Sequence, residues 1–133
     1  DVPCKVQHRR RVKQWLARVS ELHGFRLGDL SIVSCSDEKL LSYNRTYLDH
    51  DTYTDIITFD NSDGQVLSGD LLISFDRVSE NAENQGFGFD EELRRVMVHG
   101  VLHLAGFKDK SPEDAAVMRQ AEDDALAMFH VER

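Results

Sequence analysis

The stretch His99-Gly100-Val101-Leu102-His103-Leu104-Ala105-Gly106-Phe107-Lys108-Asp109 carries the strongest structural and chemical signal in the chain. An apolar helix through its first half puts His99 and His103 one turn apart on one face, about 6 Å along the axis. Both imidazoles then reach one metal ion. Gly106 ends such a helix cheaply, because glycine takes the left-handed conformation that the position after a helix asks for. The chain turns back there, and Asp109 is the residue placed to become a third ligand. Three protein ligands leave a coordination position open for water, which separates a catalytic zinc site from a structural one. The expected site is therefore one Zn²⁺ held by His99, His103 and Asp109.

A lone histidine on a buried helix face is ordinarily a hydrogen-bonded core residue, and HxxxH by itself is a weak signal. The full spacing HxxxHxxGxxD is far more restrictive. It resembles the zinc helix of metzincin-type proteases, with one omission. Those enzymes carry Glu directly after the first His as general base, and Gly100 stands there in this chain.

The 133 residues, 41% hydrophobic and 30% charged, fit a single globular domain spanning 1–133. No apolar run approaches a membrane span or a signal-peptide core. Cys4 and Cys35 are isolated, without CxxC spacing, and Cys35 reads as a buried thiol of a strand. Such cysteines fit a reducing cytoplasm. The net charge of −8 argues against nucleic-acid binding by the whole surface. The charge is uneven: seven basic residues against Glu21 alone lie between Lys5 and Arg26, whereas acids dominate from Asp109 onward. A basic first helix would suit a phosphate backbone, though most charge runs are simply solvated faces.

Val12, Trp15, Leu16, Val19 and Leu22 recur at helical spacing, predicting a helix over 8–23 that Gly24 stops. A strand is expected from Leu30 to Cys35. A helix capped by Ser36 follows, carrying Leu40, Leu41, Asn44 and Tyr47, and then a polar loop over 50–53. Asp55 to Asp60 and the stretch through Leu71-Leu72-Ile73 form a predicted hairpin around Asn61-Ser62-Asp63-Gly64. Asp76 is expected to cap a helix through Ala82, Asp90 the metal helix, and Ser111 a last helix beginning at Pro112 and ending near Phe129. That last helix should pack beside the metal helix through Ala116, Met118, Ala121 and Ala125. The fold class is α+β, a small mixed sheet covered mainly by helices on one face.

Three segments together resemble one family. His99 to Phe107 is similar to the HGxLHLxGY signature of the YbeY family, bacterial metal-dependent endoribonucleases of ribosomal RNA maturation. Thr54-Asp55-Ile56-Ile57-Thr58-Phe59 resembles its TDVLSF strand, and Gly69-Asp70-Leu71-Leu72-Ile73-Ser74 its GDIxIS strand. Asn44 and Tyr47 match the helix before the first of these. The resemblance implies a zinc-dependent endoribonuclease of single-stranded ribosomal RNA precursors. It would act at the 3′ end of small-subunit rRNA and in ribosome quality control, with the ribosomal small subunit as partner. Two departures stand out. The family's third ligand is usually His, where this chain has Asp109. The family's Arg after the helix aromatic falls on Leu48, so Arg45, one turn earlier, and His50 become the candidates for contacting substrate phosphate.

Phosphoryl transfer depends on charge neutralisation more than on a carboxylate base, so Gly100 harms this reading less than a protease reading. Asp55 and Asp70 are candidates for orienting the ligand histidines, or equally for bonding local backbone amides. Tyr47 and Phe107 are placed for base stacking or for core packing. A metalloprotease-like hydrolase and a non-catalytic ribosome-assembly factor with a structural metal remain the alternatives.

Overall fold

A computed structural model describes residues 6–47 and 54–131. Along the chain these form α1 (Arg9–Leu22), β1 (Arg26–Cys35), α2 (Asp37–Tyr47), β2 (Ile56–Asp60), β3 (Val66–Ser74), α3 (Phe75–Gln85), α4 (Phe89–Leu104) and α5 (Pro112–Val131). The sheet order is β1-β3-β2. β1 runs parallel to β3, with Val33 opposite Leu72, while β2 is antiparallel, with Ile57 opposite the same Leu72.

The middle strand explains the layering. Leu67, Leu71 and Ile73 alternate along β3 and enter the main core with α1, α3, α4 and α5. Leu72, of opposite parity, joins Cys35, Leu40 and Ile57 beneath α2. Four helices on one face and one on the other agree with the α+β class expected. The Cys35 thiol is free and buried, and burial pushes its pKa up. Cys4 and the polar loop over 50–53 lie outside the described residues.

Three local expectations are corrected. Ser74, not Asp76, caps α3: its Oγ accepts from the Arg77 amide at 3.1 Å and donates to Asp37 Oδ1 at 2.9 Å. Asp76 lies in the first helical turn and accepts from the Asp37 amide instead. Gly88, not Asp90, occupies the N-cap of α4 with extended backbone, leaving Asp90, Glu91 and Glu92 in the first turn, where the helix dipole favours acids. On α5, Met118, Ala121 and Ala125 are buried as expected but Ala116 is exposed. Ser111 does cap that helix, its Oγ accepting from the Asp114 amide at 3.0 Å.

The basic face of α1 is partly structural. Arg11 donates to the Phe129 carbonyl at 2.6 Å and lies 4.0 Å over the Phe129 ring. Arg94 sits at 4.3 Å from the same ring. Trp15 meets that ring edge-on at 5.3 Å and donates from Nε1 to the Ala125 carbonyl at 2.6 Å. The end of α5 is thereby fastened to α1 and α4.

α4 lies on the sheet at Gly100, where a Cβ would come within 2.8 Å of Leu71 Cδ2 and 2.9 Å of Ile56 Cδ1. The glycine is there for close approach to the sheet, not to make room at a metal. Gly100→Val should lower unfolding free energy by about 2 kcal/mol, since overpacking outweighs any gain in helix propensity. Urea denaturation monitored by far-UV circular dichroism checks this, and an unchanged midpoint would contradict the packing account.

Candidate metal centre

The end of α4 both stops the helix and aims a ligand. Gly106 takes φ +100°, the Gly106 amide donates to the His103 carbonyl at 3.0 Å, and the Phe107 amide donates to the Leu102 carbonyl at 3.0 Å. This paired arrangement is the Schellman motif. It presents the Phe107 carbonyl to His103 Nδ1, which donates to it at 3.0 Å. The Phe107 ring packs edge-on against His23 at 5.0 Å, so of its two expected uses the structure gives it packing.

His99 is held from the neighbouring helix. Its Nδ1 lies 2.6 Å from Glu122 Oε2 on α5. A carbonyl can only accept, and the ionised carboxylate likewise, so both rings carry a proton on Nδ1, and in the neutral ring Nε2 is the free ligand atom. The two Nε2 atoms face each other at 3.0 Å. Asp109 Oδ2 completes a triangle at 3.3 Å from His99 Nε2 and 3.4 Å from His103 Nε2. Three such donors at this separation call for a proton or a metal ion among them, and the charges of Glu122, Asp109 and Asp55 favour either cation at His99. Tetrahedral donors about 2.0–2.1 Å from an ion lie about 3.3 Å from one another, so the donor set fits zinc.

Glu122 was not foreseen from the sequence. It is 6% exposed and also receives Arg95 Nη1 at 2.8 Å, while Arg95 Nη2 reaches Asp123 at 2.7 Å. Burial alone would raise the Glu122 carboxyl pKa; the hydrogen bonds from His99 and Arg95 outweigh it and hold the pKa below the usual range. For His99, burial opposes the charged ring, but the bond to Glu122 and the charges of Glu122, Asp109 and Asp55 hold its pKa above the usual value. The readable signal was an acid on the stripe Met118, Ala121, Ala125 and Phe129, all buried. A carboxylate on a buried helix face implies a partner.

The two strand aspartates part company. Asp55 lies near His99, but its carboxylate takes the backbone amides of Asp55 and Ile56, and burial pushes its pKa up. Its hydrogen bonds are local, while its charge acts on His99. Asp70 falls on the sheet face opposite α4, with Leu72, because alternation along β3 turns it there. Arg45 is exposed in the last turn of α2 and is not among the residues lining the two cavities that adjoin the triad. Leu48 and His50 lie outside the described residues, as does the side chain of Tyr47.

Glu122→Ala would leave the Arg95 guanidinium and His99 Nδ1–H without their shared acceptor in a buried setting. Such a loss costs about 3 kcal/mol. Denaturation of the metal-free protein measures it, with Asp123→Ala, at an exposed partner of the same arginine, expected within about 1 kcal/mol of the parent.

The chain matches the sequence model of the family described as endoribonuclease YbeY over residues 3–130. It is 51% identical over 120 residues to an endoribonuclease YbeY of Bacteroides thetaiotaomicron, covering 90% of this chain and 88% of that protein. A Christiangramia forsetii protein of the same description is 48% identical, covering 91% and 85%. One from Parabacteroides distasonis is 46% identical, covering 97% and 91%. Among solved structures, the solution structure of a Thermotoga maritima protein superposes with a TM-score of 0.61 at 24% identity, over 96% of this chain and 89% of that one. That likeness concerns the fold. The extent and identity of the sequence matches place this chain in the endoribonuclease YbeY family.

Proposed function

We propose that this protein is a zinc-dependent endoribonuclease of single-stranded ribosomal RNA precursors. In this reading it matures the 3′ end of small-subunit rRNA and contributes to ribosome quality control in the cytoplasm, with the small subunit as its partner. The endoribonuclease activity accords with the family to which the chain belongs. The zinc reading is supported by one observation: two imidazole Nε2 atoms and a carboxylate oxygen converge at 3.0–3.4 Å, the spacing of donors around a tetrahedral ion. Among the described residues no helix is long and apolar enough to cross a membrane.

His99, His103 and Asp109 hold the ion. When bound, it supplies a Lewis acid for a phosphoryl oxygen and an acidified water. Glu122 and the Phe107 carbonyl lock the two ring tautomers so that each Nε2 stays unprotonated and aimed at the site. Arg95 steadies Glu122. A side chain at position 100 would meet Leu71 and Ile56 rather than the triad. A glutamate after His99 would thus be directed at the sheet, which counts against peptide hydrolysis.

Cleavage of a labelled single-stranded RNA should stop on chelation and return with zinc. Purified protein should carry one zinc per chain and His99→Ala far less. Cleavage that survives complete metal removal would overturn the metal reading, and a zinc-loaded protein without any cleavage would favour the assembly-factor alternative.

Asp109→Ala is expected to weaken zinc binding strongly while the fold persists, and Asp109→His to retain the ion. A carboxylate ligand leaves bound water less acidic than a third neutral imidazole does, so the His variant should show its activity profile moved to lower pH. Competition with a chromophoric chelator and a pH–rate series read the two effects. Full zinc occupancy in Asp109→Ala would move the third ligand elsewhere.

Arg45 is proposed to contact RNA phosphate from the end of α2. Arg45→Ala should lower RNA affinity and reduce the salt slope by about one unit, with a melting temperature typical of surface substitutions. An unchanged salt slope would remove Arg45 from the substrate path.

A further inference from the structure

A cavity of about 340 Å³ adjoins His99 and Asp109, and its wall includes Asp55, Asn81, Gln85, Glu92 and Arg119. Its size is in the lower part of the range that small-molecule sites occupy. Glu92 is the unexplained member. The residue is 5% exposed, and its Oε1 is enclosed without a hydrogen-bond partner. Buried carboxylate oxygens are rarely left unmet, because desolvation without a partner is costly. Nothing in the chemistry proposed above uses this one. Glu92 lies seven residues before His99 on α4, so the two share a face about 10 Å apart along the axis. That is about the span from a cleaved phosphate to the pairing edge of its neighbouring base.

The lining selects among ligands. A second divalent ion is not provided for: among the described residues, the sole group of three or more metal donors within 4.8 Å is His99, His103 and Asp109. A phosphate would meet the carboxylates of Asp55 and Glu92. A base with two adjacent N–H donors suits a carboxylate, and guanine offers them at N1 and N2. The same base carries an acceptor at O6, which the carboxamides of Asn81 and Gln85 or the Arg119 guanidinium can meet. Adenine and cytosine each set an acceptor nitrogen beside their single amino group, and uracil flanks its N–H with two carbonyls. Single-stranded RNA leaves such edges free to be read.

We infer that this cavity receives the guanine of the nucleotide next to the cleaved phosphodiester, with Glu92 accepting hydrogen bonds from N1–H and N2–H. Because this rests on RNA being the substrate, its test has two arms. In the first, single-stranded oligonucleotides with one guanosine beside the cleavage site are compared with the same oligonucleotides carrying inosine there, which lacks the N2 amine. The parent protein should prefer guanosine in kcat/KM by about tenfold, within the discrimination of a bidentate base contact. E92Q should bring the ratio to within about twofold.

In the second arm, calorimetry with metal-free protein compares guanosine 3′-monophosphate with inosine 3′-monophosphate, using the parent, E92Q and N81A. The parent should bind the guanosine nucleotide more tightly, and E92Q should lose the difference while its melting curve shows a folded protein. N81A, which trims another part of the lining, should weaken both nucleotides. Equal binding of the two nucleotides by the parent would overturn the inference, as would a preference that survives in E92Q or a second metal equivalent lost in E92Q. Absence of RNA cleavage by the zinc-loaded parent would instead sink the endoribonuclease reading, leaving the nucleotide arm to decide the pocket.

Discussion

The distance between α4 and the sheet governs the rest of the site. A Cβ at Gly100 would meet the terminal methyls of Leu71 and Ile56, so the helix lies closer to β3 and β2 than it would with a side chain there. His99 is the residue before, rotated about 100° around the helix. Seating position 100 on the sheet therefore turns His99 sideways to the rim, half-buried, with His103 one turn along. Lift the helix and the rings lose their common point with Asp109, whose position depends on the turn immediately after the same helix.

Orientation is then supplied by backbone and by α5. One ligand ring is oriented by a main-chain carbonyl and the other by a carboxylate. The carbonyl is fixed once Gly106 closes the helix. The carboxylate depends on long-range packing, because Glu122 arrives only when the stripe Met118–Ala121–Ala125 is buried against α4. A local device and a distant one thus act on two rings whose Nε2 atoms lie 3.0 Å apart.

Much of this was legible from the residues. Helical periodicity located α1, and β-branched runs located the strands. The spacing from His99 to Asp109 brought together three residues that do converge in space. Capping was less readable: Asp76 and Asp90 are strong cap residues by type, yet Ser74 and Gly88 hold those positions because strand and loop geometry set where each helix begins. Asp70 was left between two roles because a strand motif does not state which face of the sheet meets the metal helix. Glu122 was invisible to motif reasoning, since its partner lies 23 residues away on another helix. Only its place on an apolar stripe hinted at a buried role. Arg11 belonged by sequence to a basic surface run and by structure to the fastening of Phe129.

That fastening has a temporal side. Trp15 and Ala125 are 110 positions apart in sequence, and Arg11 and Phe129 are 118. These joints between α1 and α5 are among the longest-range closures in the fold, and loops of that length close slowly relative to local helix formation. α4 and its turn at Gly106 are local in sequence, whereas the acid that fixes His99 comes from α5, whose far end is held through these long-range joints. Until α5 docks, His99 lacks the Glu122 acceptor and its ring is free to take either tautomer. Completion of the site is deferred until both flanks of the polypeptide have met.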